Sequence, residues 1–320
     1  MDFSFFIESA FILALALVLD GVFGEPPDRF HPTVWMGRVI AFLKPRLRSG
    51  NPKTERMKGV LLCVGVAALF AVPAFLIVFF TRFFFGPIPY IVVSAVLLKL
   101  TFALRCMGHY TLPIAEALER GDLDGAKGWL RFIVRRDPAT LDERLVVSAA
   151  VESIAESTTD GVTSPLFFFA LFGVAGAFVF RVVNTLDSMV GYRDAANVNL
   201  GWFSAKVDTV LNFVPARLTG ALMVLAALFS GERWRDSWRI MLRDRRNMAS
   251  ANAGWTIGAM AGALGTMLEK VGVYRLGDEG ELKPEHIRRA LRIMALTVIL
   301  FSIVIVLPIL VLWALLLGIV

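Results

Sequence analysis

The chain is poor in the residues on which disulfide and transition-metal chemistry depend. Its 320 residues include two cysteines and three histidines. Cys63 and Cys106 lie in or beside apolar segments and show no metal-ligand spacing. The sequence contains no P-loop, no dinucleotide-binding glycine motif, no H-E-x-x-H pair and no nucleophile elbow. It also has no basic stripe interleaved with aromatic residues, so we expect no nucleic-acid partner.

Apolar residues, by contrast, make up 57% of the chain and are concentrated in long runs. Soluble domains usually contain about 45–50% apolar residues. Six runs approach or exceed the roughly 20 residues that cross a bilayer: residues 3–22, 60–80, 89–104, 164–183, 213–229 and 295–320. The first run follows an acidic rather than a basic start, so we expect a retained helix and not a secretory signal. The sequence predicts an all-α, polytopic membrane bundle, a single domain over residues 1–320, in the cell (cytoplasmic) membrane.

The distribution of positive charge predicts the topology of the runs. The net charge is +6, and basic residues are dense in residues 24–58 and 231–248, which should face the cytoplasm. A full crossing by residues 164–183 would then place residues 184–212 outside, away from the acidic residues of the preceding stretch. We therefore expect residues 164–183, and likewise 213–229, to enter and return or to be buried within the bundle.

The mixed-charge stretch between the third and fourth runs has helical patterning. It predicts two short helices, over residues 111–120 and 123–134, broken at Gly121. A longer helix over residues 141–157 follows Asp137-Pro138. Further on, Gly254, Gly258 and Gly262 recur at helical spacing, which predicts a helix that packs closely against a neighbour.

Three carboxylates in this stretch are spaced to share one helix face. Glu152, Glu156 and Asp160 lie four residues apart, among apolar neighbours that place this face near the core. Like charges at this spacing repel each other, and a divalent cation or a set of arginines would relieve the repulsion. The alternative is a solvated acidic face.

Further polar groups lie at the ends of apolar runs. One contains Asn184 and Asp187, followed by Tyr192 and Arg193, and another contains Asp208 and Asn212 with Lys206 and Arg217. Paired carboxylate and amide oxygens suit Mg²⁺, and arginines suit phosphates or carboxylates. A polar helix end at the level of the lipid headgroups is the alternative explanation.

The first run exits into a turn rich in proline and glycine. Residues 19–27 contain Asp20 and Glu25, and His31 and Arg38 follow. The prolines and glycines predict a rigid turn. A lone histidine such as His31 is more often a structural hydrogen-bonding residue than a ligand.

At these residues the chain resembles the CobD/CbiB family, the adenosylcobinamide-phosphate synthases of cobalamin (vitamin B12) biosynthesis. Five blocks carry the resemblance in order: residues 19–37, 151–168, 181–193, 205–218 and 250–265. Lys206 stands where the family usually has arginine, and Ala251 and Thr256 stand where prolines are frequent. Thr209 occupies the position of a second aspartate, which argues against ligation of a metal by two aspartates there.

The resemblance implies a membrane-bound ligase that forms a C–N amide bond. It implies that adenosylcobyric acid, a corrinoid, is joined to (R)-1-amino-2-propanol or its O-phosphate, with ATP and Mg²⁺ as cofactors and the lipid bilayer as surroundings. The implied catalytic residues are Glu152, Glu156, Asp160 and Asp187, and the implied metal ligands are Glu156, Asp160, Asp187 and Asp208. The implied substrate-binding residues are Glu25, His31, Asn184, Tyr192, Arg193, Asn212, Arg217 and Asn252.

Two other classes of membrane protein fit the residue pattern. In a transporter, Glu152, Asp187 and Asp208 would line an ion or substrate path, although no internal repeat is visible. In a Mg²⁺-dependent transferase of a phosphoalcohol or prenyl group, aspartates would hold the metal, although the carboxylates form no compact pair of doublets.

Overall fold

The computed structural model describes residues 4–192, 194 and 197–318. Helices account for 78% of the chain, as an all-α fold requires. The α-helices are α1 Ser4–Phe23, α2 Pro32–Leu47, α3 Pro52–Phe85, α4 Pro87–Lys99, α5 Leu104–Glu119, α6 Leu123–Leu130, α7 Glu143–Ser157, α8 Ser164–Val190, α9 Trp202–Leu211, α10 Phe213–Phe229, α11 Trp234–Asp244, α12 Ala253–Leu264, α13 Glu285–Phe301 and α14 Leu307–Leu317. Two short 3-10 helices, Asp28–Phe30 and Pro138–Thr140, two π-helical segments, Thr158–Thr163 and Ser302–Val306, and an antiparallel hairpin of β1 Leu268–Lys270 and β2 Tyr274–Leu276 complete the regular structure of the described residues.

The long helices have the length and composition of membrane spans. Five qualify: Ser4–Phe23, Pro52–Phe85, Pro87–Glu119, Glu143–Val190 and Glu285–Leu317. The pair α9 and α10, bent by 44°, makes a sixth if it is one broken span. The many large apolar side chains that α3 leaves exposed have no favourable place in water. The protein is therefore a polytopic helical membrane protein, as its sequence predicts.

The described residues fall into two compact units. One comprises those of Met1–Ala103, Ser164–Leu211 and Val304–Val320, and the other comprises Leu104–Thr163 and Asn212–Ile303. That the whole chain is a single domain stays a prediction.

In the first unit, α1 packs against α4, and α3 packs against α8. The helix α8 is interrupted at Phe172 and Gly173, where Gly173 has a φ of +66° that favours glycine. This break lies in the middle of the run that we expect to enter the membrane and return. Whether α8 crosses the bilayer stays a prediction.

In the second unit, α12 packs closely along α11. A Cβ atom on Gly254 would lie 2.2 Å from the carbonyl oxygen of Arg245, and one on Gly262 would lie 2.4 Å from that of Asp236. Gly258 faces the backbone of Met241. The predicted close packing of this glycine-rich helix is confirmed, and α11 is its neighbour.

The short helices lie close to their predicted positions, although α5 begins at Leu104 instead of residue 111 and α6 ends at Leu130 instead of residue 134. The break between α5 and α6 falls at Gly121, whose φ is +75°. The side chain of Asp122 then accepts the backbone N–H of Gly125 and caps α6. Similarly, the Asp142 side chain caps α7 through the N–H of Leu145.

Candidate functional site

In the first unit, the exit of α1 places Glu25 against His31. Gly24 takes a φ of +66°, and the chain turns through two prolines before α2. His31 caps α2, because its Nδ1 accepts the N–H of Thr33 at 3.2 Å. Its Nε2 therefore carries the proton and donates to Glu25 Oε2 at 2.7 Å. Both ring nitrogens are thus engaged within the protein.

Two charged residues that the sequence did not single out as ligands complete this cluster. Lys99, at the end of α4, places its Nζ 2.9 Å from Glu25 Oε1 and 3.5 Å from Asp20 Oδ1. Lys99 is 5% exposed and Asp20 is 1% exposed. Burial acts to raise the pKa of Glu25, but hydrogen bonds from His31 and Lys99 and the charge of Lys99 outweigh it and hold that pKa below its ordinary value. The sequence could have indicated Lys99, because a lysine inside an apolar run needs a partner.

The helices α8 and α9 of the first unit bring an amide and a carboxylate together. Asn184 Nδ2 donates to Asp208 Oδ1 at 3.2 Å, and Asp208 is 9% exposed. Asp187 follows Asn184 on α8, as the sequence predicts. A Cβ atom on Gly191 would lie 2.0 Å from Asp187 Oδ1, so the carboxylate occupies space that only glycine leaves open.

The sequence also singled out three other residues, Tyr192, Arg193 and Asn212. Tyr192 is exposed, and its hydroxyl donates to the carbonyl oxygen of Ser188 at 2.9 Å. Arg193 lies outside the described residues. Asn212 is 1% exposed and follows the end of α9 at Leu211, so it does not belong to the helix that carries Asp208. Asn212 therefore lies between α9 and α10 rather than on a helix face shared with Asp208.

In the second unit, two hydroxyl groups and a guanidinium group surround the carboxylate of Glu152. It is 7% exposed, and it accepts hydrogen bonds at 2.6 Å from the hydroxyls of Ser148 and Tyr274. A guanidinium nitrogen of Arg136 lies 3.8 Å from the same carboxylate. Burial, together with the negative charge of Glu152, raises the pKa of Tyr274. The β1–β2 hairpin that delivers Tyr274 was not predicted, and it carries no motif by which the sequence could have revealed this contact.

The predicted acidic stripe is not a continuous face. Glu152 is buried, but Glu156 is exposed and Asp160 is half-buried. Asp160 lies in the π-helical segment, whose wider turns break the spacing of a regular α-helix. The prediction of one face near the core is therefore wrong for these three residues. Among the residues that the structure describes, no three histidine, cysteine, aspartate or glutamate side chains form a group that could hold a metal ion.

Also in the second unit, Arg217 and Asn252 form a pair from distant blocks of the sequence. A guanidinium nitrogen of Arg217 donates to Asn252 Oδ1 at 3.2 Å. The guanidinium carbon lies 3.4 Å from the ring centre of Phe213 and 5.0 Å from that of Trp255. Arg245 approaches the same indole at 4.9 Å. Trp255 thus contacts two arginines.

These arginines border a pocket. It has a volume of about 410 Å³ and is lined by Arg217, Arg245, Arg246, Met248, Ala249, Ser250, Ala251 and Trp255. Within the described part of the chain, none of its three arginines forms an ion pair with a carboxylate. The sequence indicated Arg245 and Arg246 only as part of a basic cytoplasmic segment, and no motif marked them as lining a pocket.

Comparisons with known proteins agree on one family. The family model described as "CobD/Cbib protein" matches residues 13–294. The probable cobalamin biosynthesis protein CobD of Methanothermobacter thermautotrophicus is 44% identical over 292 residues, which cover 91% of this chain and 95% of that protein. The cobalamin biosynthesis protein CobD of Dehalococcoides mccartyi is 43% identical over 85% of this chain and 88% of its own length. The protein of the same name from Geobacter metallireducens is 44% identical over 83% of each chain. No solved structure matched.

Proposed function

Because the chain belongs to the CobD/CbiB family and so has a role in cobalamin biosynthesis, we propose that it is a membrane-bound amide ligase of that pathway. It joins the free propionate carboxylate of adenosylcobyric acid to the amine of (R)-1-amino-2-propanol or of its O-phosphate. A C–N bond forms, the carboxylate oxygen leaves after activation by ATP, and the amine loses a proton. The product is adenosylcobinamide or its phosphate.

The observation that supports this proposal is the pairing of residues that the family resemblance singles out. Glu25 contacts His31, Asn184 contacts Asp208, and Arg217 contacts Asn252. Two of these pairs join residues that are 24 and 35 positions apart in the sequence. An amide ligase needs groups that move a proton, hold a cation and hold an anion. The first unit contains carboxylates suited to the first two tasks, and the second unit contains an arginine suited to the third.

The Asn184–Asp208 pair fits Mg²⁺ in the way that proteins usually bind this ion. Mg²⁺ keeps several waters and takes one or two carboxylates together with substrate phosphates, so a complete protein cage is not required. Asp208 and Asp187 supply the carboxylates, and the amide of Asn184 can turn its oxygen toward the ion. Bound there with ATP, Mg²⁺ would neutralise phosphate charge. Glu156 and Asp160 are the other proposed ligands, in the second unit.

The carboxylates differ in their fitness to accept the proton of the amine. Glu152 is buried and already accepts a short hydrogen bond on each of its carboxylate oxygens. Glu156 is exposed one turn further along α7 and is the better proton acceptor of the two. In the first unit, His31 donates to Glu25, so His31 orients that carboxylate. We assign Asp160 and Asp187 to the same catalytic set, without separating their roles.

The membrane setting suits the substrate. A corrinoid is large and partly apolar, and a multi-pass protein can present polar groups at the ends of its spans where such a molecule meets both phases. We propose the cytoplasmic membrane of the cell as its location, because ATP is then available to residues on the inner face.

The test is a reconstituted reaction. The full chain, purified in detergent, is mixed with adenosylcobyric acid and each amine, with and without ATP and Mg²⁺, and the product is identified by mass spectrometry. We expect the amide product only when an amine, ATP and Mg²⁺ are all present. Absence of the product with both amines, from folded protein, would contradict the proposal. Uptake by proteoliposomes would then favour a transporter, and reaction with a nucleotide-activated alcohol a transferase.

A further inference from the structure

The pocket of the second unit concentrates positive charge without local neutralisation. Arg217 enters from α10, while Arg245 and Arg246 follow the end of α11. Arg217 and Arg245 lie about 5 Å from the same indole ring, so their like charges are held close together. Repulsion between such groups is relieved when an anion binds among them.

Arg239 and Arg243 of α11 differ from the pocket arginines, because carboxylates neutralise them. Arg239 contacts both Asp236 and Asp278, and Arg243 contacts Asp244 and Asp278 at 2.6 Å. Hydrogen bonds from Arg239 and Arg243 lower the pKa of Asp278. The two arginines of α11 that contact Asp278 are thus neutralised, whereas the pocket arginines have no carboxylate partner among the described residues.

The packing of α11 against α12 fixes the position of the pocket arginines. Gly254 allows the backbone of Arg245 to approach α12 more closely than any side chain would permit. The hydroxyl of Ser250 accepts the N–H of Ala253 at 3.1 Å and that of Asn252 at 3.4 Å. Because Ser250 already satisfies these amides at the start of α12, the guanidinium groups, and not the helix terminus, give the pocket its affinity for anions.

We propose that this pocket binds a phosphate monoester group. A guanidinium group can donate two hydrogen bonds to two oxygens of one phosphate. A phosphate dianion also balances the charge of three guanidinium groups better than a single carboxylate does. A volume of about 410 Å³ also accommodates a small organic group beside the phosphate. The source is either a soluble phosphoester or the headgroup of an anionic lipid. If the proposed ligase function holds, the soluble source is the O-phosphate of the amine substrate.

The test is protection of the arginines from phenylglyoxal, followed by mass spectrometry of the peptides. The full chain is placed in phosphatidylcholine nanodiscs, and inorganic phosphate is compared with chloride at equal ionic strength. We expect Arg245 and Arg246 to react about tenfold more slowly at ten times the dissociation constant of phosphate. Arg235, exposed on α11 outside the pocket, should react at the same rate in both salts.

Variants and a second lipid separate the possible outcomes. Arg246→Gln should weaken phosphate binding about tenfold or more, whereas the control Arg235→Gln should not change it. Protection that appears only in nanodiscs containing phosphatidic acid would assign the group to a lipid headgroup. Equal reaction rates under all conditions would overturn the phosphate site. The amide-forming assay is independent, because a ligase that forms product while phosphate fails to protect retains its function without this site.

Discussion

Replacing Lys99 with methionine should destabilise the protein more than any other single lysine substitution in the described part of the chain. The Lys99 ammonium contacts Glu25 at 2.9 Å and Asp20 at 3.5 Å, and it is 5% exposed. Methionine keeps an unbranched side chain of similar shape, one heavy atom shorter, and removes its charge. Two carboxylates would then be left in a buried site without their cation, although His31 would still donate to Glu25.

The size of the stability loss in Lys99→Met follows from opposing contributions to the free energy of unfolding. At an effective dielectric constant of about 20, each contact contributes roughly 5 kcal/mol of Coulomb attraction. In the variant no ammonium has to be removed from water on folding, and this offsets the lost attraction by several kcal/mol. The net cost of removing one partner from a buried ion pair is typically about 3–5 kcal/mol, because the remaining charge is uncompensated. We therefore expect the free energy of unfolding of Lys99→Met to fall by about that amount.

Equilibrium unfolding in mixed micelles, followed by far-ultraviolet circular dichroism, measures this loss. Lys53→Met is the matched control, because Lys53 is exposed at the start of α3 and should change the free energy by no more than about 0.5 kcal/mol. Adding Asp20→Asn to Lys99→Met should recover at least about 1 kcal/mol, since it removes one of the two negative charges that Lys99 contacts. A Lys99→Met variant as stable as Lys53→Met would show that the cluster is hydrated and would refute the reasoning.

Three further changes test other parts of the structure. The pKa of Glu25 lies below its ordinary value of 4.5. Its stabilising contribution is therefore present above pH 4.5 and is lost as the pH falls through the folded-state pKa. The free energy of unfolding, measured against pH, should fall less in acid for Glu25→Gln than for the unchanged protein. Gly254→Ala should destabilise the fold by about 1–3 kcal/mol through contact with Arg245, whereas Gly128→Ala, with open space around it, should stabilise by about 0.4–1 kcal/mol; thermal unfolding compares the two. Glu156→Gln should lower amide formation by about 10²-fold or more with little change in unfolding, and undiminished turnover would remove Glu156 from the catalytic set.

The sequence predicted those features that depend on local composition. Membrane spans follow from the length of apolar runs, and the break at Gly121 follows from a glycine between two helical patterns. The close packing of α12 followed from Gly254 and its companions, because small residues at helical spacing admit a neighbouring backbone. The neighbour itself could not be read from the pattern, since any helix can fill such a groove.

The sequence failed where distant segments supply the partners. Glu152 was predicted to share a repelling stripe, but Tyr274, 122 residues away, donates to it from an unpredicted hairpin. Asp160 left the stripe because a π-helical segment interrupts the α-helix, and residue spacing alone does not reveal such a segment. The first error comes from a tertiary contact and the second from a local change of helix type, and neither is encoded in residue spacing.

The basic segment around α11 shows why a single explanation of charge is insufficient in a membrane protein. The positive-inside rule accounts for the number of arginines there but not for their individual surroundings. Arg239 and Arg243 are neutralised by Asp278, while Arg245 lines a pocket in which it has no carboxylate partner among the described residues. The positive-inside rule concerns the total charge of a segment during membrane insertion, so it does not determine which contacts each arginine makes in the folded protein. The fold makes that assignment, because it brings Asp278 against Arg239 and Arg243 and places Arg217 in the pocket beside Arg245.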